Sequence, residues 1–444
     1  MRKYGLPFLV ILVFVLGGLW FWASRPDVAK LPFEAVTGTH PVIGEPRAQV
    51  YPTINVAKAV GWSQGGMPTA AAGLKVNAFA SGLDHPRWLY RLPNGDVLVA
   101  ETNSPPRHVP GIQGFVESWL MKEAGAAVPS ANRITLLRDT NGDGVADVKT
   151  PLITGLNSPL GMALVGDMLY IADTDALVRV PYKTGDTHIT AKPEVVARYP
   201  GGGQHWARGL SASADGKSLF VSIGSSTNIA DDGIDAEANR ACIMEVDLTR
   251  KTSRIYASGL RNPQGMVIDP KTQRLWTVVN ERDMLGSDLA PDYLTAVELG
   301  DYFGWPYSYW GGYADKRVQP ERPDLLQYAK RPDFALGAHA APLGLALAAD
   351  AKLGGAFGYG VFVGEHGSWN RVPASGYKVV YVPFGDNGFP AKDAKPVDVL
   401  TGFLNKDGKA QGRPVGVITN AGGALLVADD VGNMIWRVSA GSAG

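Results

Sequence analysis

The sequence predicts an all-β fold, a six-bladed β-propeller preceded by one N-terminal transmembrane helix. The main observation is a four-residue motif that recurs six times, with Pro second in five copies and Gly fourth in five. The copies begin at His85, Ser158, Trp206, Asn262, Ala341 and Arg413. They lie about 50–80 residues apart and each leads into an apolar strand, a pattern typical of propeller blades. The 54 glycines and 31 prolines agree with many short strands joined by turns.

The strands that follow the motif support the same fold, because in five of the six repeats they end in or beside an acid. These acids are Glu101, Asp173, Glu281, Glu365 and Asp429, and the third repeat ends instead at Gly224-Ser225. A propeller gathers equivalent residues of all its blades around one central channel. Polar residues beside the motif are therefore the candidates for a functional site.

Residues 1–24 are predicted to form a membrane anchor, with a cleaved signal sequence as the alternative. Arg2 and Lys3 precede an apolar run from Leu6 to Trp22, close to the 20 or so residues that span a bilayer. The run ends in Trp20-Phe21-Trp22, which is a poor cleavage site and a good interfacial anchor. The charges before the run predict a single pass through the cytoplasmic membrane, with the body on the periplasmic or extracytoplasmic side.

The rest of the chain divides into two parts. Residues 25–73 show no sustained periodicity and are predicted to be a tether, and residues 74–441 are predicted to form the propeller. Leu74–Phe79 alternates like a strand and is expected to pair with Met434–Val438. This pairing would close the ring and remove its exposed edges. Phe115–Glu123 predicts a short helix inserted in the first blade.

Composition excludes several classes of function. The formal net charge is zero, so no basic surface indicates a nucleic-acid partner. The one cysteine, Cys242, excludes an internal disulfide, a Cys-x-x-Cys-His haem site and a cysteine-rich zinc site. A redox group, if the chain carries one, must be held by other residues.

Residues 139–147 match a calcium-binding loop. The predicted oxygen ligands are Asp139, Asn141, Asp143, the main-chain carbonyl of Val145, and Asp147. Gly144 stands at the sixth position, where such loops turn sharply, and Thr150 stands where a bidentate Glu would complete the site. The alternative is a solvated hairpin turn rich in Asp and Asn. We expect calcium in a structural role.

Three residues at the starts of the third and fourth repeats are the main catalytic candidates. His205 follows a glycine-rich stretch and would act as a general base if its imidazole is neutral. Arg261 and Asn262 place a cation and an amide together, able to polarise a carbonyl or hold a carboxylate. The alternatives are a structural histidine and an arginine that ties blades together. Arg413 repeats the arginine position two blades later.

Residues from about 75 to 440 resemble the glucose/sorbosone dehydrogenase family. The segments that carry the resemblance are Gly259–Gly265, Asn280–Asp283, Pro291–Tyr293, Phe303–Tyr307 and Gly412–Pro414. Members of this family are six-bladed propellers that use pyrroloquinoline quinone (PQQ) and calcium. The likeness is closest to the membrane-associated L-sorbosone dehydrogenase branch.

The resemblance implies roles for the catalytic candidates. His205 matches the base that takes a proton from the sugar hydroxyl as hydride moves to C5 of the quinone. Arg261 and Asn262 match the pair beside the C5 carbonyl. Asp283 and Met284 fall where main-chain carbonyls hold the cofactor's calcium.

The resemblance also implies residues that hold the cofactor's carboxylates, and it has gaps. Arg413 matches one of two such arginines, and His366 or Arg371 would replace the lysine that the family uses in blade five. Ser225 stands where an aspartate usually supports the catalytic histidine, and Gln204 replaces a common acid.

The sequence as a whole therefore predicts an exported quinoprotein dehydrogenase that oxidises an aldose sugar or a related, sorbosone-like aldehyde. Electrons would pass to an external acceptor, a quinone or a cytochrome, near the membrane. One alternative is a calcium-dependent propeller hydrolase such as a lactonase, in which a channel metal activates water. The other is a binding propeller without catalysis.

Overall fold

The chain forms a ring of six antiparallel sheets in the computed structural model, which describes residues 17–18, 25–107 and 109–441. Five sheets have four strands, and the sheet of the fifth blade has a fifth strand at its outer edge. The innermost strands of successive blades contact one another in order around the ring, and the sixth contacts the first. The predicted all-β, six-bladed propeller is confirmed.

The first strands and blades follow in chain order. Before the first blade lie the 3₁₀ helix Phe33–Val36, β1 (Thr69–Ala70) and β2 (Leu74–Ser81). Blade 1 contains β3 (Pro86–Arg91), β4 (Val97–Glu101), α1 (Gly111–Glu123), β5 (Arg133–Arg138) and β6 (Val148–Thr154). Blade 2 contains β7 (Met162–Val165), β8 (Met168–Ala172), β9 (Ala176–Pro181) and β10 (Glu194–Arg198). Blade 3 contains β11 (Leu210–Ala212), β12 (Ser218–Ile223), the 3₁₀ helix Ile234–Glu237, β13 (Cys242–Asp247) and β14 (Thr252–Ser258).

The remaining blades carry the second long insertion. Blade 4 contains β15 (Pro263–Ile268), β16 (Leu275–Val279), β17 (Pro291–Val297) and β20 (Phe334–Ala338). Its insertion holds the short hairpin β18 (Ser308–Tyr309) and β19 (Tyr313–Ala314), and α2 (Pro323–Leu326). Blade 5 contains β21 (Pro342–Leu347), β22 (Gly360–Glu365), β23 (Lys378–Pro383) and β24 (Val397–Thr401). Blade 6 contains β25 (Pro414–Thr419), β26 (Leu425–Asp429) and β27 (Met434–Ala440).

The ring closes as predicted. The early strand β2 pairs antiparallel with β27, from Leu74 opposite Ala440 to Ser81 opposite Met434, and supplies the outer strand of blade 6. Blade 6 thus joins strands from both ends of the propeller and closes the ring. The second strands, such as β4 and β16, are buried along their whole length. This explains their unbroken apolar sequences, since neighbouring blades cover both faces.

The glycine of the repeated motif has a packing role. A Cβ atom added to Gly161, Gly209, Gly265, Gly344 or Gly416 would collide with main chain of the next blade's inner strand. A Cβ atom on Gly344, for example, would collide with the carbonyl oxygen of Val415 and would lie 2.8 Å from the amide nitrogen of Val417. The motif therefore repeats because inner strands approach closely around the channel, where a side chain has no room.

The connectivity puts all the candidate residues of the repeated motif on one face. Each inner strand begins, and each second strand ends, on the same side of its antiparallel sheet. We call this side the front face and the other the back face. His205, Arg261 and Arg413 precede inner strands, and Asp283, His366 and Asp430 follow second strands, so all six lie on the front face.

The segment predicted as a tether is fastened along the front face. The Asp27 carboxylate accepts the main-chain N–H of Ser287 at 2.6 Å and forms an ion pair with Arg47 at 2.7 Å. Farther on, the main-chain N–H of Asn55 donates to the Trp369 carbonyl, and β1 pairs with β24. Residues 25–73 are thus packed against the propeller rather than extended away from it.

The predicted membrane helix falls on residues 1–24, which lie outside the described residues except for Gly17 and Gly18. Along the described part of the chain, no helix has the length and apolar character needed to cross a bilayer. The predicted short insertion helix is confirmed as α1, which extends to Gly111 on its N-terminal side.

We predict that Gly344→Ala lowers the free energy of unfolding by at least the 1–3 kcal/mol or so typical of overpacking. The added methyl would collide with the inner strand of blade 6. Urea denaturation of the variant and of wild type measures the difference. Gly358→Ala is the matched control in the same blade, because nothing lies within 4 Å of its added Cβ. Equal unfolding midpoints for Gly344→Ala and Gly358→Ala would contradict the packing role.

Candidate functional site

An ion pair between a buried arginine and a partly exposed aspartate organises the centre of the site. Arg261 is 4% exposed, and its Nη2 lies 3.0 Å from Asp283 Oδ2. Asn228 links the two residues, since its Oδ1 accepts from Arg261 Nη2 at 3.0 Å and from the Asp283 main-chain N–H at 2.9 Å. Two charges removed from water need such close pairing and additional hydrogen bonds. The direction of the guanidinium is therefore fixed by the loop that carries Asn228.

The Asp283 carboxylate is held from a second side. Its Oδ1 accepts from Asn370 Nδ2 at 2.9 Å and lies 3.5 Å from His339 Nδ1. Burial would raise the pKa of Asp283, but Arg261, His339 and Asn370 outweigh it and lower the pKa well below its usual value. Burial alone would lower the pKa of His339, but the contact with Asp283 raises it. Residues of blades 3, 4 and 5 thus converge on one ionised carboxylate.

His205 lies beside this cluster, half-buried, with Asn262 as its neighbour. A Cβ atom on Gly224 would come within 2.5 Å of His205 Cβ and would also collide with Asn262 Oδ1. The glycine at the end of β12 therefore lets the two side chains approach one another. Asn262 Oδ1 accepts from Gln264 Nε2 at 2.7 Å, which fixes the orientation of its amide.

The hydrogen bonds of His205 define its tautomer. Its Nδ1 lies 2.8 Å from the Ser225 carbonyl oxygen and 3.1 Å from Ser225 Oγ. A carbonyl oxygen only accepts, and Ser225 Oγ already donates to the Thr227 carbonyl, so Nδ1 carries the hydrogen. Nε2 is left with a free lone pair, which is the tautomer that a general base requires. Ser225 supplies this orientation through its main chain.

His205 is neutral at ordinary pH. Burial, followed by the nearby Arg261 guanidinium, lowers the pKa of His205 to about 3. Both effects disfavour the imidazolium, because it would lose hydration and face a like charge. The side chain can accept a proton in this state, and a developing negative charge nearby would strengthen it as a base.

A second cluster surrounds Asp430, one residue after β26. Asp430 Oδ2 lies 2.9 Å from His366 Nε2 and 3.6 Å from His85 Nε2, and it pairs with Arg87 Nη1. Burial would raise the pKa of Asp430, but these three neighbours lower it well below its usual value. Burial lowers the pKa of His366 to about 4. A cavity of about 600 Å³ opens beside His85 and Asp430 on the front face.

The two predicted arginines outside the central cluster differ in role. Arg413 is 6% exposed, donates from Nη2 to the Ala57 carbonyl at 3.2 Å, and lies over the ring of Tyr377. It is close enough to contribute to the lowered pKa values of His85 and His366. Arg371 instead donates to the main-chain carbonyls of Ser287 and Pro373 at 2.9 and 2.7 Å. Arg371 therefore ties the loops together, while its neighbour Asn370 reaches the central cluster.

The carbonyl oxygens predicted to hold calcium are bonded to protein donors. Arg317 Nη1 donates to the Asp283 oxygen at 3.0 Å and to the Met284 oxygen at 3.1 Å. Among the described residues, no three His, Cys, Asp or Glu side chains converge to form a metal site.

The predicted calcium loop is remote from this site. Residues 139–147 connect β5 to β6 on the back face, and their carboxylates accept hydrogen bonds from the loop itself. Asp139 receives the N–H groups of Gly142 and Gly144 at 2.8 and 3.0 Å, and Asp147 receives the Thr140 N–H at 2.7 Å. Asp143 Oδ1 accepts the N–H of Val145, and Asn141 Nδ2 donates to Asp143 Oδ2. A calcium ion at this loop remains a prediction.

Six residues of the site were not predicted as site residues from the sequence: Arg87, Asn228, Glu237, Arg317, Asn370 and Asp430. The buried Glu237 carboxylate accepts from the main-chain N–H groups of Ser226 and Thr227 at 2.6 and 3.0 Å, and so holds the turn that leads to Asn228. Two of them had a usable signal, since Asp430 directly follows the acid that ends the sixth repeat and Arg87 is the third residue of the first copy of the motif. The others lie in loops without periodicity, so no pattern singled them out.

The donors on the front face suit a polyanion. Within the described part of the chain, the Nε atoms of Arg87 and Arg413 and Nε2 of His85 are buried and have no hydrogen-bond partner. Buried polar groups are rarely left unsatisfied, so the unsatisfied Nε donors of the two arginines indicate a place for a ligand's oxygen atoms. The residues present therefore fit an anionic organic cofactor such as PQQ, whereas the carbonyl oxygens of Asp283 and Met284 do not fit a calcium ion.

Comparison with known proteins agrees with this geometry. The sequence matches the TrAA12-like family over residues 68–292 and 323–440. The chain belongs to this family. The predicted resemblance to the PQQ-dependent sugar dehydrogenases is confirmed, because those enzymes are among the structures that share the fold.

Two solved structures and one sequence illustrate the relationship. The calcium structure of the Trichoderma reesei family AA12 enzyme aligns with a TM-score of 0.69 at 19% identity, covering 88% of this chain and 99% of that one. The holo form of the pyranose dehydrogenase PQQ domain from Coprinopsis cinerea aligns with a TM-score of 0.67 at 20% identity, covering 84% and 97%. An uncharacterised protein of Borreliella burgdorferi is 29% identical over 294 residues, 64% of this chain and 76% of that protein.

We predict that His205 makes the protein sensitive to mild acid. Its folded pKa of about 3 lies below its ordinary value of 6.5, so between these values only the unfolded state binds the proton. Stability is therefore lost as the pH falls below about 6.5, by about 1–2 kcal/mol from this residue between pH 7 and 5. His205→Gln, which still offers an N–H to the Ser225 carbonyl, should lose less stability over that range. Urea denaturation at both pH values measures this, and equal losses would contradict the assignment.

Proposed function

We propose that this protein is an exported quinoprotein dehydrogenase that oxidises an aldose or a related, sorbosone-like aldehyde with PQQ. The observation that carries the proposal is the neutral imidazole of His205, with Nε2 free, beside Arg261 and Asn262. A base, a cation and an amide at one point of a propeller face are the groups that a hydride abstraction from a sugar needs. The fold shared with the pyranose dehydrogenase PQQ domain supports the same chemistry.

His205, Arg261 and Asn262 have different roles in the proposed reaction. His205 Nε2 takes the proton of the substrate hydroxyl, and the Ser225 carbonyl holds the imidazole in the correct tautomer. Arg261 stabilises negative charge that develops beside it, and Asn262 Nδ2 offers a second donor. PQQ, when bound, supplies the electron-accepting carbonyl carbon, which none of the twenty side chains offers.

The carboxylates of the cofactor are assigned to the second cluster. Arg413 and Arg87 each present an unpaired buried Nε, and His366 lies beside them. Guanidinium groups bind carboxylates through short, charge-assisted hydrogen bonds. Asp430 already neutralises part of this charge, so it sets how many cofactor carboxylates the cluster can hold. Arg371, which is bonded to two main-chain carbonyls, supports the loop and not the ligand.

Attachment to the cytoplasmic membrane through residues 1–24 is part of the proposal. Near the start of the described segment 25–107, Asp27 is bonded to the front-face loop at Ser287. Three residues of extended chain span at most about 10 Å. An anchor ending at residue 24 would therefore hold the front face close to the bilayer, where a quinone or a cytochrome acts as the electron acceptor.

We predict that His205→Gln lowers kcat by about 10²–10⁴ with PQQ and an aldose, as removal of a general base does. Reduction of a dye acceptor by the full-length protein measures this. His188→Gln is the matched control, since His188 is exposed and lies between β9 and β10 on the back face. Its activity should equal that of wild type.

Two other results would contradict the proposed function. Hydrolysis of a lactone without PQQ would indicate the propeller hydrolase. If no aldose of a panel reduces the dye and no lactone is hydrolysed, the protein would be a binding propeller.

A further inference from the structure

The main-chain oxygens of Asp283 and Met284 have no lone pair left for a metal ion. Each accepts one hydrogen of Arg317 Nη1, at 3.0 and 3.1 Å. The Asp283 oxygen also accepts from Asn228 Nδ2 at 3.2 Å, and the Met284 oxygen from the main-chain N–H of Gln49 at 3.1 Å. A carbonyl oxygen has two lone pairs, so protein donors use all four.

Arg317 is fixed in this position by a buried acid. Its Nε and Nη2 form a fork with Asp315, at 2.9 Å to Oδ1 and 2.7 Å to Oδ2. Asp315 is 4% exposed, and Arg282 Nη1 lies 3.3 Å from its Oδ2. Both hydrogens of Arg317 Nη1 go to the two carbonyl oxygens, and the rest of the guanidinium goes to Asp315. The group is therefore held in one plane with few alternatives.

A calcium ion at these oxygens would have to displace the guanidinium. Calcium takes six to eight oxygen ligands at about 2.3–2.6 Å. Both of these carbonyl oxygens already accept hydrogen bonds from the Arg317 guanidinium. Moving Arg317 would also take one of two neighbouring guanidinium groups away from the buried Asp315 carboxylate, which is costly for a charge removed from water. Arg317 belongs to residues 293–322, which lie between the two stretches that match the family.

We propose that Arg317 takes the place of the calcium ion, so that the chain binds its quinone-type polyanion without a divalent cation. This inference rests on the proposed function, because it concerns the same cofactor. Arg261 then supplies the positive charge beside the reacting oxygen. Its Nη1 has only a long contact, 3.5 Å to the Asn280 carbonyl, and is the donor most available to a ligand.

The test is a titration of the full-length protein with PQQ in excess EGTA and again in millimolar calcium, followed by calorimetry. We expect the two dissociation constants to agree within about twofold, since no ligand position for calcium is open. A loss of about tenfold or more in EGTA that persists when the back-face loop is disabled by Asp139→Asn with Asp143→Asn would overturn the inference while leaving the proposed function intact. No binding of PQQ under either condition would overturn both.

The variant Arg317→Gln sharpens the result. Removal of the guanidinium frees one lone pair on each carbonyl oxygen, so PQQ binding by this variant should become stronger in calcium by about tenfold. A cooperative thermal transition of the variant shows that it is folded. If PQQ binding by the folded Arg317→Gln variant stays insensitive to calcium, the proposal that Arg317 occupies the place of the calcium ion is contradicted.

A control variant distinguishes an effect of calcium at the back-face loop 139–147 from an effect at the front face. Asp139→Asn with Asp143→Asn removes two of the carboxylates predicted as ligands there, and neither residue lies near the front face. This double variant should bind PQQ as wild type does, with and without calcium. A calcium effect on PQQ binding that disappears in the double variant comes from the back-face loop, and would leave wild type calcium-independent at the front face.

Discussion

The geometry of the front face depends on the ion pair between Arg261 and Asp283. Arg261 is nearly excluded from water, whereas the Asp283 side chain is 20% exposed, so the loss of Asp283 would leave a buried guanidinium without its counter-charge. The carboxylate is also bonded to Asn370 of the blade 5 loop, and Asn228 of the blade 3 loop is bonded to both partners. Three blades are thereby held at fixed positions around one charge. The charge of Arg261 is already compensated by Asp283 when a ligand binds. The ion pair therefore orients the ligand more than it attracts it.

The parts of the fold that the sequence predicted are those set by local constraints that repeat. Gly265 and Gly344 recur because each inner strand lies against the next, and this restriction appears directly as a residue type. Pairing of β2 with β27 was predictable because an open ring would expose two edges. His205, Arg261 and Asn262 were found for the same reason, since their positions in the repeat fix their place on the front face.

The remainder of the site depends on contacts between distant segments. Arg317 reaches the carbonyl oxygen of Met284 from an insertion, and Gln49 reaches it from the N-terminal segment. Neither segment has a periodicity that would show where it packs. Arg371 shows the same dependence, because its sequence position beside blade 5 suggested a cofactor ligand, whereas the two main-chain carbonyls that accept from its guanidinium could not be predicted from the sequence. Which partner a side chain finds is a tertiary property.

The low pKa of His205 has a consequence for how a ligand activates the base. Arg261 contributes to this low pKa by like-charge repulsion, second only to burial. An anionic group that pairs with Arg261 would reduce that repulsion and raise the pKa of His205 toward the working pH, where a base is most effective. The support from Ser225 is a neutral carbonyl, so it orients the ring without adding the negative charge that an aspartate would bring. The basicity of His205 is therefore set by the charge state of its ligand site.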